Sequence, residues 1–97
     1  MTGLEVRHNP AASRFEAFVD GALLRADYRM SGRVMHIVHT EVPHALEGRG
    51  LAGQVVRAAL DYARANGLKV DPVCGYVRAY MRRHRETQDL LDGGVRS

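Results

Sequence analysis

Apolar and polar residues alternate through the first forty positions and then change period. Residues 4–9 alternate, and Asn9-Pro10-Ala11-Ala12 breaks the pattern as a turn. Residues 13–19 alternate again, with Phe15, Ala17 and Val19 opposite Arg14, Glu16 and Phe18. Asp20-Gly21 is a two-residue hairpin signal. Residues 22–30 follow, with Leu24, Ala26, Tyr28 and Met30 facing one way and Leu23, Arg25, Asp27 and Arg29 the other. Ser31-Gly32 turns the chain into a fourth strand at 33–42. Strict alternation gives that strand two mixed faces: Val34, His36, Val38, Thr40 and Met35, Ile37, His39, Glu41. Mixed faces predict a central strand covered on both sides. The short connections predict an antiparallel meander.

Beyond residue 50 the period is helical. Leu51, Ala52, Val55, Val56, Ala59, Leu60 and Ala63 form one apolar stripe, while Gln54, Arg57, Asp61 and Arg64 take the solvent side. Asn66-Gly67 suits a left-handed helix end. A short strand at 68–71 is stopped by Pro72, and a second helix at 73–84 places Val77, Tyr80, Met81 and His84 at helical spacing. Residues 86–91 suit one more turn, and 93–97 a flexible tail. The order β-β-β-β-α-β-α predicts an α/β (α+β) fold in one domain over 1–92.

Ninety-seven residues supply one modest core. The apolar share of 45% and charged share of 26% are those of an ordinary globular domain and argue against disorder. Short apolar runs exclude a membrane-spanning helix, and the N-terminus lacks the order of a secretory signal. A single cysteine, Cys74, excludes an internal disulfide and suits a reducing cytoplasm. The net charge of +3 is mild for a nucleic-acid binder, and six aromatic residues form no stacking cluster. An anionic small ligand fits the same charge.

The segment joining the fourth strand to the first helix is Pro43-His44-Ala45-Leu46-Glu47-Gly48-Arg49-Gly50-Leu51-Ala52. Gly48 and Gly50 permit positive φ, so nearby amides can converge at a helix N-terminus and hold a phosphate or pyrophosphate. Arg49 adds charge. No Gly-Lys-Ser/Thr follows, which excludes a P-loop, and the preceding meander argues against a dinucleotide-binding Rossmann unit.

A meander leading to this V-P-x₄-G-x-G-x-A loop and a long helix resembles motif A of the GCN5-related N-acetyltransferases. The resemblance is closer to their small single-domain branch of about one hundred residues. It extends through His39-Thr40-Glu41-Val42-Pro43, Pro72-Val73-Cys74-Gly75-Tyr76-Val77 and Tyr80-Met81-Arg82-Arg83-His84. Two departures stand out. Ala45 occupies the position where the wider family has Gln or Arg, and the usual strands after the last long helix are absent.

The resemblance implies acetyl-CoA in a cleft where the fourth and fifth strands splay apart. It implies pyrophosphate on Gly48, Arg49, Gly50, Leu51 and Ala52, and the pantetheine arm beside Thr40, Glu41 and Val42. The Val42 amide becomes the oxyanion donor. Transfer to an amine of a protein or small molecule needs a base and an acid. Glu41 is the candidate base, with His39 two residues back as a relay; the alternative for Glu41 is a surface carboxylate. Tyr80 matches the helix tyrosine that serves as acid near the CoA sulfur, or else it is a core aromatic. Cys74 is either an acetyl-accepting nucleophile, a contact to the cofactor, or a buried thiol. Arg78, Arg82 and Arg85 are expected on one face of the last helix, while Arg83 and His84, with Arg82, match the family tail for the CoA 3′-phosphate. His36 and His39 are expected on opposite faces, so no metal site is predicted. A CoA or acyl-CoA binding module with little turnover is the competing reading. The sequence leaves oligomeric state open.

Overall fold

A computed structural model describes residues 4–93. Residues 1–3 and 94–97, which carry part of the signal reading and most of the expected tail, lie outside the described residues. Five strands form one sheet in sequence order: β1 (Arg7–Asn9), β2 (Arg14–Val19), β3 (Ala22–Ser31), β4 (Val34–Glu41) and β5 (Lys69–Pro72). The first four are antiparallel neighbours, and β5 joins β4 in parallel after the crossover through α1 (Leu51–Ala65). Helix α2 (Gly75–Arg83) follows, then a 3₁₀ helix at Arg85–Leu90. Asp20 and Gly21 both take positive φ, as the Asp-Gly hairpin signal requires.

The core lies on one face. Phe15, Ala17, Leu24, Ala26, Met35 and Ile37 from the sheet meet Val56, Ala59, Leu60 and Ala63 of α1 and Val77 and Met81 of α2 in one buried cluster. The opposite face carries ion pairs and exposed Phe18 rather than a helix, so the expectation of a fourth strand covered on both sides is corrected. Its mixed faces reflect a different cause. Asp27 pairs with His39 but Tyr28 with Ile37, which leaves Val38 as the extra residue of a bulge in β4. The bulge resets the alternation. Thr40 stands beside Ala26 on the core side, while His36, His39 and Glu41 stand beside Arg29, Asp27 and Arg25 on the open side. His36 and His39 therefore share a face, against the expectation from strict alternation. Each is drawn to its own carboxylate, His36 Nδ1 to Asp71 at 2.7 Å and His39 Nε2 to Glu41 at 3.2 Å.

Helix α2 begins two residues later than expected because Pro72 still pairs with Ile37 and Cys74 stays extended at ψ 131°. The helix ends at Arg83, so Arg85 falls in the 3₁₀ helix and does not extend a stripe with Arg78 and Arg82. Arg78 turns back onto the carbonyls of Pro72 and Val73. Two arginines of α1 hold the 3₁₀ helix: Arg57 pairs with Glu86, and Arg64 donates to both carboxylate oxygens of Asp89 at 2.8 and 2.9 Å and to the Glu86 carbonyl at 2.9 Å.

At the other end of the core, His8 stacks on Phe15 with ring centroids 4.3 Å apart and shares a 2.6 Å hydrogen bond with the Tyr28 hydroxyl. Burial holds the His8 imidazole below its ordinary value of 6.5. As pH falls below that value the unfolded chain takes up this proton first, so stability falls with it until the folded ring also titrates. Urea unfolding should therefore show a lower midpoint at pH 5.5 than at pH 7.5. His8→Phe should remove that difference; an unchanged difference would assign it to other groups.

Candidate functional site

Pairing of β4 with β5 stops at Ile37 and Pro72, and the Cys74 amide donates to the Ile37 carbonyl at 2.9 Å as the last tie. From there β4 runs on to Glu41 while the other chain turns away into α2. The strands splay because Pro72 and the Cys74 turn leave β5 no residue to continue the ladder. A cleft of about 510 Å³ opens at this split, lined by Thr40, Glu41, Val42, Gly48, Gly50, Leu51 and Ala52. It brings together seven of the residues singled out in the sequence. Leu46, buried in a 3₁₀ turn at His44–Leu46, anchors the loop beneath it.

The loop has the geometry its glycines permit. Gly48 and Gly50 take φ of +82° and +75°, and a Cβ on either would point into open space. Gly50 is the N-cap of α1 and offers no side-chain cap. The first amides of α1 therefore have no capping side chain, and the helix dipole places partial positive charge beside the cleft. Such a cradle fits a diphosphate. Arg49 is exposed on the loop and does not line the cleft.

Cys74 sits at the N-cap of α2, with its Sγ 3.6 Å from the Thr40 hydroxyl. Burial opposes its ionisation. Hydrogen bonds from Thr40 and from the amides of Val77 and Tyr76 outweigh it and hold the thiol below its usual range. Glu41 is on the open side of β4, where Arg25 donates to it at 2.9 Å. The bond to His39, then the charge of Arg25, keep its carboxyl below the usual carboxylate range. Glu41 is thus held ionised, with His39 and Arg25 as its partners.

Tyr80, Arg83 and His84 line a second cleft of about 670 Å³, together with Gly50, Gly53, Arg57 and Tyr76. The Tyr80 hydroxyl accepts from Arg57 Nε at 3.0 Å, and its ring stacks on His84 at 3.9 Å. Tyr80 does not border the first cleft; Tyr76 borders both. The two clefts meet at Gly50 and Tyr76, around the N-terminus of α1. Burial raises the Tyr76 phenol, against the opposing charge of Arg83, so it keeps its proton at neutral pH. Sequence reasoning missed Tyr76, Arg57 and Gly53. The signal for Gly53 was available: a glycine inside a helical stripe marks close packing, here against Tyr80 and the Tyr76 hydroxyl. Among the described residues, no group of three His, Cys, Asp or Glu side chains is placed to hold a metal ion, and no helix is long and apolar enough to cross a membrane.

A family model described as GCN5-related N-acetyl-transferase matches residues 14–90. The chain belongs to this family. The match spans β2 through the 3₁₀ helix at Arg85–Leu90, and so includes the first cleft and all of the second but Leu4 and Val6. The NATD1 proteins of Gallus gallus and Mus musculus are each 32% identical over 91 residues, covering 90% of this chain and 82% of their own length. The solution structure of a GCN5-like candidate N-acetyltransferase from Staphylococcus aureus superposes with a TM-score of 0.74 at 27% identity. That likeness covers 96% of this chain and 92% of the Staphylococcus protein. The minimal acetyltransferase fold expected from the motifs is thereby established, and family membership supports N-acetyltransferase activity in general terms.

Proposed function

We propose that this protein transfers the acetyl group of acetyl-CoA directly to an amine of a protein or small molecule. The observation that carries the reading is the split between β4 and β5, where one cleft is lined by uncapped helix amides, Val42 and Glu41, and Glu41 is paired with His39 on the open face. The amides of Leu51 and Ala52, with Gly48 and Gly50 giving close approach, hold the pyrophosphate. Arg83 and His84 in the adjoining cleft hold the adenosine phosphate end, and Arg49 adds an exposed charge at the loop. Thr40 and Val42 flank the pantetheine arm. Acetyl-CoA supplies an activated thioester carbonyl.

The Val42 N–H polarises that carbonyl. His39, held by Glu41, takes the proton the ammonium must lose before its nitrogen attacks the carbonyl carbon. As the C–S bond breaks, a phenol returns a proton to the leaving sulfur. Tyr76 suits this role by its place at the cleft, with Tyr80, held by Arg57, in the adjoining cleft. Cys74, tied to Thr40, packs beside the sulfur.

Thermal unfolding with acetyl-CoA, CoA or ATP tests the cofactor. Ligand at 100 times its dissociation constant adds roughly 2.7 kcal/mol, on the order of 10 °C in a domain this size. The expected result is a large shift with acetyl-CoA and CoA but not ATP; no shift at millimolar ligand would overturn the reading. One observation favours a second reading, a CoA or acyl-CoA binding module with little turnover: among the described residues the chain after α2 returns along β5 through a bridge at Val70 and Leu91 and adds no strand beyond the split. Glu41→Gln separates the two. Lost turnover with retained CoA binding supports the transferase, and full activity would remove Glu41 from the proton path.

A further inference from the structure

Helix α2 lines two different cavities with its two faces. Tyr76, Tyr80, Arg83 and His84 face the second cleft. At about 100° per residue, Arg78, Met81 and Arg82 fall on the opposite side. They face a separate pocket of about 340 Å³, completed by Pro72, Gln88 and Leu91. Arg82 therefore lines neither cleft of the candidate site, against its expected place beside Arg83 and His84.

The pocket pairs apolar lining with cationic side chains. Met81 and Pro72 are buried and Leu91 is half-buried. Arg78 Nη1 donates to the carbonyls of Pro72 and Val73 at 3.1 and 2.9 Å. Those neutral acceptors fix the guanidinium and leave its charge uncompensated. Arg82 is exposed and, among the described residues, makes no hydrogen bond or ion pair. No carboxylate is among the lining residues described. Asp71 and Asp89, next in sequence to Pro72 and Gln88, are held by His36 and Arg64, and Asp92, next to Leu91, is not free either. Arg78 and Arg82 are four residues apart on one helix, a spacing at which like charges destabilise. An anion in the pocket removes that repulsion.

A guanidinium fork matches carboxylate and phosphate alike. The apolar lining separates the two, because a bare phosphate has no surface to bury there. The volume lies at the lower end of ligand pockets, which suits a small molecule. We infer that this pocket binds a small organic carboxylate, with its charge on Arg78 and Arg82 and its apolar body on Met81, Pro72 and Leu91. The site is separate from both clefts and stands whether or not the transferase reading holds.

The test titrates the full chain, methyl-labelled at methionine, and follows the methyl signals by NMR. The Met81 signal, identified by its loss in Met81→Leu, reports on the pocket, and Met35 in the sheet core is the internal reference. The probes are benzoate and hexanoate, with benzyl alcohol, hexylamine and inorganic phosphate as controls. The expected result is saturable movement of Met81 with at least one carboxylate, at a dissociation constant of about 1 mM or below. The controls should give none over the same range. Arg82→Gln should weaken carboxylate binding at least about tenfold, as loss of a charge-assisted hydrogen bond implies. An unmoved Met35 signal checks that this variant stays folded. Saturating acetyl-CoA should leave carboxylate binding in place. No saturable movement with either carboxylate overturns the proposal, as does an Arg82→Gln variant that binds as well as the parent. Phosphate or benzyl alcohol binding as tightly as the carboxylates would overturn the ligand class. Displacement of the carboxylate by acetyl-CoA would return Arg82 to the cofactor and remove the separate site.

Discussion

If acetyl-CoA binds as proposed, Gly50→Val is expected to abolish the stabilisation it gives. Gly50 holds φ at +75° as the N-cap of α1. A β-branched residue is an outlier in that region, and the left-handed backbone costs about 1–2 kcal/mol for an L-residue. The unfolding midpoint should fall by roughly 5–15 °C from strain alone. The larger effect is on the ligand. A Cβ here meets only open space, so it would stand where a phosphate approaches, and relief of the positive φ would turn the first amides of α1 away from that phosphate. Losing two charge-assisted hydrogen bonds, each worth about 1.5–3 kcal/mol, weakens binding by at least about a hundredfold. Gly32→Val is the control. Gly32 has φ of +59° with the same open space beside it, but it lies in the β3–β4 hairpin away from the cleft. It should lose comparable stability and keep the acetyl-CoA shift. Equal loss of the shift in both variants would mean that strain, rather than the cradle, governs binding.

The contrast between these glycines also shows what the sequence could reveal. Asp20-Gly21, Gly32 and Gly48-Arg49-Gly50 were legible because positive φ is a local demand with a local residue signature. The helix stripe from Leu51 to Ala63 was legible because one face must be buried, and Val55, Val56, Ala59, Leu60 and Ala63 of it reach the core. The facing of β4 was not legible. A bulge is decided by the partner strand, and nothing around Val38 distinguishes an extra residue from a paired one. That single residue moves Thr40 to the core side and brings His36 and His39 to one face. The bare second face was hidden for the same reason: Arg25, Asp27 and Arg29 alternate with apolar residues whether a helix or water lies above them. The roles of Tyr76 and Tyr80 divide on a tertiary detail too. Both have helical spacing, and only the approach of α2 to Gly53 and Arg57 puts Tyr76 at the cleft and ties Tyr80 to a guanidinium.

Val42→Pro carries the largest expected effect on turnover. Strand β4 ends at Glu41, paired with Arg25, so Val42 lies one residue past the ladder. Its backbone precedes Pro43 and is already held extended, where proline's fixed φ is tolerated. The substitution therefore removes one N–H at the split between β4 and β5 while leaving the sheet intact. If that N–H stabilises charge developing on the thioester oxygen, kcat should fall by about 10²–10³-fold. Acetyl-CoA binding should persist, because the glycine loop carries it. Val42→Ala retains the N–H and loses only apolar contact, so it should keep kcat within a few-fold while losing some stability. This pair separates backbone chemistry from side-chain packing at one position. A proline variant that turns over like the alanine variant would take the oxyanion role away from Val42. The donor would then have to come from elsewhere at the split, where the amides of Tyr76 and Val77, already turned toward the Cys74 sulfur, are the next groups in line.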